Sequence, residues 1–179
     1  ILVAAGAGGH AGTLHPIPLI NEVKKIFSKT IVLSGCLSNV NDIASALQMG
    51  ADIAYMGTRF INVKESRAED NYKDMIMQSS AEDIVYTAAV SGVNANFLRP
   101  SLEAMGITEE QWKHTKKIDF GNTSDLAESE AKAWKTIWSA GQGVTSIKDS
   151  PSISELVPML KEEFVFALDK QKKLLDTYT

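Results

Sequence analysis

Cysteine is all but absent: Cys36 stands alone in 179 residues. That excludes an intramolecular disulfide framework and any cysteine-cluster metal site. No apolar run approaches the roughly 20 residues that a membrane-spanning helix requires. Basic charge is short as well. Eighteen Lys and Arg against 22 Asp and Glu leave a net charge of −4, without the basic field that nonspecific nucleic-acid binding needs. Histidines number three, and no His/Asp/Glu cluster has metal-ligand spacing, so no metal is expected. Repeats and low-complexity tracts are missing too. What is there, 44% apolar and 22% charged residues, is ordinary globular composition that can bury a core. Length suggests one domain, or one and a part. The expectation is a soluble, cytoplasmic protein with a small-molecule or protein partner.

The chain opens on Ile1-Leu2-Val3-Ala4-Ala5, with neither an initiator methionine nor a charged leader, which does not read as a signal peptide. Five apolar residues ending at a glycine read as a buried strand already under way. An N-terminal portion is therefore expected to precede this chain. Two further apolar runs follow, Ile31-Val32-Leu33 and Ile53-Ala54-Tyr55-Met56. Each run ends in a glycine-containing turn: Gly6 to His10, Ser34-Gly35-Cys36, and Gly57-Thr58. Between them, Pro16 to Phe27 and Asn39 to Met49 carry apolar residues at helical spacing, and Gly50 stops the second. Strand, helix, strand, helix, strand with continuous apolar strands implies a parallel sheet covered on both faces.

After Phe60 the pattern changes. Ser66 to Ser79 and Leu126 to Trp138 read as helices, Ile84 to Thr87 is β-branched, and Thr108 with Glu109 to Gln111 resembles a helix start. A long amphipathic helix closes the chain. Ser152, Ser154 and Glu155 mark its start, and Lys170, Lys172 and Lys173 its end. Pro158 is expected in its first turn or at its true start, because an interior proline costs about 3 kcal/mol. The chain so divides into residues 1–64 and a closing helix 152–179, parts of one α/β unit. A mostly helical insertion, 65–151, lies between the third strand and the helix that should cover it.

The turns after strands two and three carry the sharpest signal. Both lie at the carboxyl ends of parallel strands, where such sheets bind ligands. Gly35 and Gly57 lack a β-carbon, so a phosphate can approach their N–H groups, and the helix after Gly35 adds a favourable partial charge. Either glycine alone only permits a tight turn. Together they match the phosphate site of the last two loops in a (β/α)8 barrel. Arg59 can add charge there or pair with a surface carboxylate. In the first turn, the glycines around His10 let a flat ring lie against the backbone, and a histidine there can move a proton near neutrality. His15 and His114 have no such setting and read as structural. Cys36 lacks a base partner, so its N–H matters more than its sulfur.

These residues resemble the nitronate monooxygenase family, formerly 2-nitropropane dioxygenases, which also includes flavin-dependent enoyl-acyl-carrier-protein reductases. The matching stretches are Ala7 to Gly12, Leu33 to Leu37, Gly50-Ala51-Asp52 with Met56 to Phe60, Glu65-Ser66, Tyr72-Lys73 and Ser139 to Gly143. The resemblance implies the C-terminal part of an FMN-dependent (β/α)8 barrel with an inserted second domain. It implies that Gly35, Cys36, Gly57 and Thr58 hold the FMN phosphate, with Met56 and Gly9 also against the cofactor. His10 matches the active-site histidine, and Gln142 a motif near the cleft. Two departures stand out. Cys36 replaces a frequent glycine, which leaves phosphate binding intact if its φ is negative, and Gly6 replaces a frequent glutamate, which bears on the substrate subtype. The implied reaction is oxidation of an alkyl nitronate or nitroalkane by oxygen to a carbonyl compound and nitrite. An NAD(P)H-dependent flavin reductase acting on an enoyl thioester or quinone is the rival within the family. A non-catalytic phospho-ligand-binding or interaction domain is the rival outside it. An exposed sheet edge would also favour association into oligomers.

Overall fold

The computed structural model describes residues 1–113 and 136–178. The chain enters on strand β1 (Leu2–Val3) and turns through a glycine-rich loop into β2 (Gly9–His10). It then forms helix α1 (Pro16–Lys24), β3 (Val32–Ser34), α2 (Val40–Gln48) and β4 (Ile53–Tyr55). Strands β1, β3 and β4 make a parallel sheet in that order, with Val3, Ser34 and Tyr55 side by side in register. Pro16 opens α1, where its fixed φ suits the first turn, and His15 caps that helix through Nδ1, which accepts from Ile17 N at 3.4 Å. Asn39 and Asp42 form a reciprocal capping box on α2, and Gly50, at φ +100°, ends it as the pattern predicts.

Alternation along the strands sorts their two faces. Leu33 is buried with Ala4, Ile20, Ile31, Ala46 and Ala51, with Leu2 and Ala54 packed beside it under α1 and α2. The opposite face differs from the expectation of cover on both sides. Val3, Ile53 and Tyr55 are 42%, 50% and 54% exposed. Continuous apolar strands foretold two buried faces, and among the described residues only one is covered.

Beyond β4 come the short helix α3 (Thr58–Ile61), α4 (Asp70–Gln78), β5 (Ile84–Thr87), β6 (Ala95–Leu98), α5 (Arg99–Ala104) and α6 (Glu109–Lys113). Among the described residues helices exceed strands in length, and the strands form an antiparallel sheet of order β2-β6-β5. Gly9 pairs with Asn96 and His10 with Ala95, so the glycine-rich loop leaves one sheet and enters another. Most of the helix expected over Leu126 to Trp138, and His114, lie outside the described residues. No helix among the described residues is long and apolar enough to cross a membrane.

The closing helix α7 (Ile153–Leu175) starts where the sequence marks it, with Ser152 and Glu155 in a capping box. It packs on α2 through Ala167, Leu160 and Phe164 against Val40 and Ala44, rather than directly over β4. Pro158 is not in the first turn but inside the helix. It forfeits one bond, to the carbonyl of Ser154. Both residues are exposed, so solvent can serve that carbonyl.

Candidate active site

The three glycine turns meet around one cavity of about 280 Å³. Gly8 and His10 line it from the first turn, Gly35, Cys36, Leu37 and Ser38 from the second, and Gly57 and Thr58 from the third. Its floor includes Val3, Ser34 and Tyr55, the in-register row on the uncovered face of the parallel sheet. Of the residues singled out in the sequence, His10, Gly35, Cys36, Gly57 and Thr58 come together here. Gly9, Met56 and Gln142 do not line the cavity. Met56 packs against the core under α1 and α2.

Two glycines in these turns do different work. Gly35 has φ +123°, and a β-carbon on it would lie 3.1 Å from Ala4 Cβ and Ala4 O, so the fold itself requires glycine. Gly57 has an ordinary φ of −101°, and a β-carbon there would meet nothing within 4 Å. The space in front of Gly57 is open, and Gly57 lines the cavity. The main-chain N–H groups of Gly35, Cys36 and Leu37 donate to no acceptor among the described residues. Such successive amides suit an anion.

The electrostatics refine the expectation about the α2 N-terminus. Asp42 Oδ2 already accepts from Ser38 N at 2.8 Å and Asn39 N at 3.0 Å. A carboxylate therefore occupies the helix end, and the amides upstream of it are what remain for a ligand. Arg59 is buried, but its Nη2 pairs with Asp149 Oδ1 at 2.8 Å, the surface-carboxylate alternative. None of the residues lining the cavity is Lys or Arg, so an anion there meets neutral donors.

Cys36 departs from the sequence condition. Its φ is +61°, not negative, the conformation that glycine takes at little cost and other residues at about 1–2 kcal/mol. Its thiol donates to Ala5 O at 3.4 Å. Gln142 Oε1 lies 3.7 Å from the same sulfur. Burial, and then the charge of Asp42, push the Cys36 thiol up from its usual value. A thiol held protonated in this way is a poor nucleophile.

The loop that presents His10 is clasped from several sides. Asn96 Nδ2 donates to Ala7 O at 2.6 Å, Tyr86 Oη to Ala11 O at 3.0 Å, and Gln142 N to Gly6 O at 2.9 Å. Gly141 N donates to Thr58 Oγ1 at 2.9 Å, which joins the third turn to the 3-10 segment Gln142–Ser146. Gly8 and Gly141 lie in loops so close together that a β-carbon on either would fall within 3.0 Å of the other loop's backbone. Tyr72 stacks on Trp138 with ring centroids 5.0 Å apart and donates to Ser139 O, bracing the same segment. Burial lifts the Tyr72 phenol to about 12.

Glu65 and Lys73 serve the frame. Both carboxylate oxygens of Glu65 accept from Ile153 N at 3.0 Å, and Lys73 Nζ donates to Ser66 O at 3.0 Å. Sequence reasoning missed Tyr55, Ser38 and Asn96. The first was available from strand alternation, since Tyr55 shares the face of Ser34. Asn96 had no signal, because its partner carbonyl is 89 residues away. Among the described residues, no group of three His, Cys, Asp or Glu side chains could hold a metal ion.

A family model described as nitronate monooxygenase matches residues 1–163. A nitronate monooxygenase of Paraburkholderia phytofirmans is 26% identical, over 96% of this chain and 51% of its own length. Among solved structures, nitroalkane oxidase from Streptomyces ansochromogenes superposes with TM-score 0.69 at 25% identity, over 94% of this chain and 52% of that one. FabK from Thermotoga maritima superposes with TM-score 0.73 at 23% identity, over 94% and 55%, a likeness of fold. The chain spans about half the length of the relatives it matches.

Proposed function

The chain belongs to the nitronate monooxygenase family, whose members are flavin-dependent oxidoreductases, and on that premise we propose that it forms the phosphate-holding, proton-handling part of an FMN enzyme oxidising alkyl nitronates or nitroalkanes with oxygen. The observation that supports this reading is one cavity lined by Gly35, Cys36, Leu37, Gly57 and His10, the first three with N–H groups that donate to no acceptor among the described residues. FMN, when bound, supplies the redox chemistry that a polypeptide lacks. The amides of Gly35, Cys36 and Leu37, with those of Gly57 and Thr58, are the proposed phosphate holders, and the empty space before Gly57 leaves room for phosphate oxygens. His10, exposed at the edge of β2 beside the cavity, is the proposed base. It would take a proton from the carbon bearing the nitro group, or orient a nitronate already ionised. Thr58 Oγ1 accepts from Gly141 N, so its O–H, like its main chain, is left to serve the phosphate.

The uncovered sheet face supports a (β/α)8 setting. Val3, Ile53 and Tyr55 present apolar surface where a barrel interior would be packed by further strands, and β1 and β4 are both open edges among the described residues. On this reading residues 1–64 and 152–179 are barrel, and 65–151 are the inserted unit.

The experiment is purification followed by an absorbance scan, identification of any released flavin, and anaerobic mixing with an alkyl nitronate or with NADH. Rapid bleaching by the nitronate and not by NADH is expected. In His10→Asn, turnover of a neutral nitroalkane should fall far more than flavin content. A chain that stays colourless after FMN is added refutes the flavin reading, and rapid bleaching by NADH alone refutes the nitronate assignment. If flavin loss accounts for all the lost activity, His10 is scaffold.

A further inference from the structure

Ser38 is an anomaly in the cavity wall. It is 3% exposed, and its Oγ is buried with no hydrogen-bond partner among the described residues. A buried hydroxyl without a partner loses its hydration for nothing in return, and native structures rarely keep one without a use. The main-chain N–H of Ser38 is committed to Asp42 Oδ2 at 2.8 Å, so the hydroxyl is the donor this residue has left. The hydroxyl lies against Gly143, where an ideal β-carbon would come within 2.2 Å of it. Gly143 and Ser38 line the same cavity as Gly35, Cys36 and Leu37. The glycine thus makes room for an oxygen that the polypeptide itself does not satisfy.

We infer that Ser38 Oγ is a phosphate ligand, donating a hydrogen bond to the phosphate of the bound flavin mononucleotide. The inference rests on the flavin reading above and extends it to a residue that the glycine turns did not indicate. The chemistry fits. The cavity wall contains no Lys or Arg, so each neutral donor matters more, and a hydroxyl adds to the main-chain amides a group that can rotate towards an oxygen.

The test compares wild type with Ser38→Ala by fluorescence titration with FMN and with riboflavin, which lacks the phosphate, together with the thermal midpoint of each ligand-free protein. Removing the hydroxyl should weaken FMN at least tenfold and leave riboflavin within twofold. The ligand-free midpoint should not fall, because no protein–protein hydrogen bond is lost. Equal FMN affinity in the two proteins overturns the inference and leaves the flavin reading standing. Equal losses for FMN and riboflavin, or a lowered ligand-free midpoint accounting for the FMN loss, assign Ser38 to the frame and overturn it too. If the wild-type chain binds neither FMN nor inorganic phosphate, the flavin reading and the inference fall together.

Discussion

Replacing Gly57 by alanine separates the ligand from the fold. The backbone of Gly57, φ −101° and ψ −68°, is open to any L-residue, and the new methyl would touch no protein atom within 4 Å. The stability change should therefore stay within about 1 kcal/mol, the size of an ordinary glycine-to-alanine effect. In a chain of this length that is a shift of about 2–4 °C in the thermal midpoint. Gly57 lines the cavity with Gly35 and Cys36, and the methyl is expected to narrow it. A phosphate pushed off the Gly57 backbone forfeits at least one charge-assisted bond, worth about 1.5–3 kcal/mol. That predicts FMN affinity weaker by about 10- to 100-fold, since each 1.4 kcal/mol is a factor of ten. Gly35→Ala is the counterpart. At φ +123° and 3.1 Å from Ala4, its β-carbon should cost the fold a few kcal/mol whether or not a ligand is present. Titration calorimetry with FMN and thermal unfolding without it read the two effects separately. Wild-type FMN affinity in Gly57→Ala would refute the placement of a phosphate at this turn.

Two other predictions follow from the frame of the site. Burial lifts the Tyr72 phenol from 10.0 to about 12, against the lowering effect of its bond to Ser139. Because the folded value lies above the unfolded one, this contribution to stability is complete below pH 10 and is lost as the pH rises towards 12. Tyr72→Phe should remove the phenolate absorbance step near pH 12 and cost about 1 kcal/mol through the stranded Ser139 carbonyl. An unchanged step would assign it to another tyrosine. Co-expression with the N-terminal half of the Paraburkholderia phytofirmans relative should cover the face of Val3, Ile53 and Tyr55, giving a one-to-one complex with more retained flavin. Separate elution of the two pieces would count against a barrel completed on that face.

How much of this was written in the sequence depends on how far each interaction reaches along the chain. The parallel sheet and its helices were legible because their determinants are local. Apolar runs fix β1, β3 and β4, Asn39 and Asp42 start α2, and Gly50 ends it. The closing helix was legible at Ser152 and Glu155 for the same reason, and Pro158 misled only because helices tolerate the loss of one exposed bond. Strand β6 was not legible. Ala95 to Leu98 are all buried, so they show no alternation, and the partner that makes them a strand includes Gly9 and His10. Nor does an apolar strand say whether its second face is covered by its own chain.

The site divides along the same line. A glycine turn announces itself, but the reason for its glycine does not: Gly35 answers to Ala4, and Gly57 to open space. At Cys36 the residue type argued for a negative φ, and the turn overruled it, with φ at +61° and the thiol donating to Ala5 O. Sequence reasoning also supplied charge that the fold does not deliver. Arg59 pairs with Asp149 and does not line the cavity, and Asp42 caps the α2 N-terminus. An anion in this cavity would be held by dipoles fixed in advance rather than by a counter-charge. Selectivity would then come from the shape of the amide and hydroxyl cradle, which is why one methyl at Gly57 or one oxygen at Ser38 should matter more to binding than removing the buried cation, Arg59.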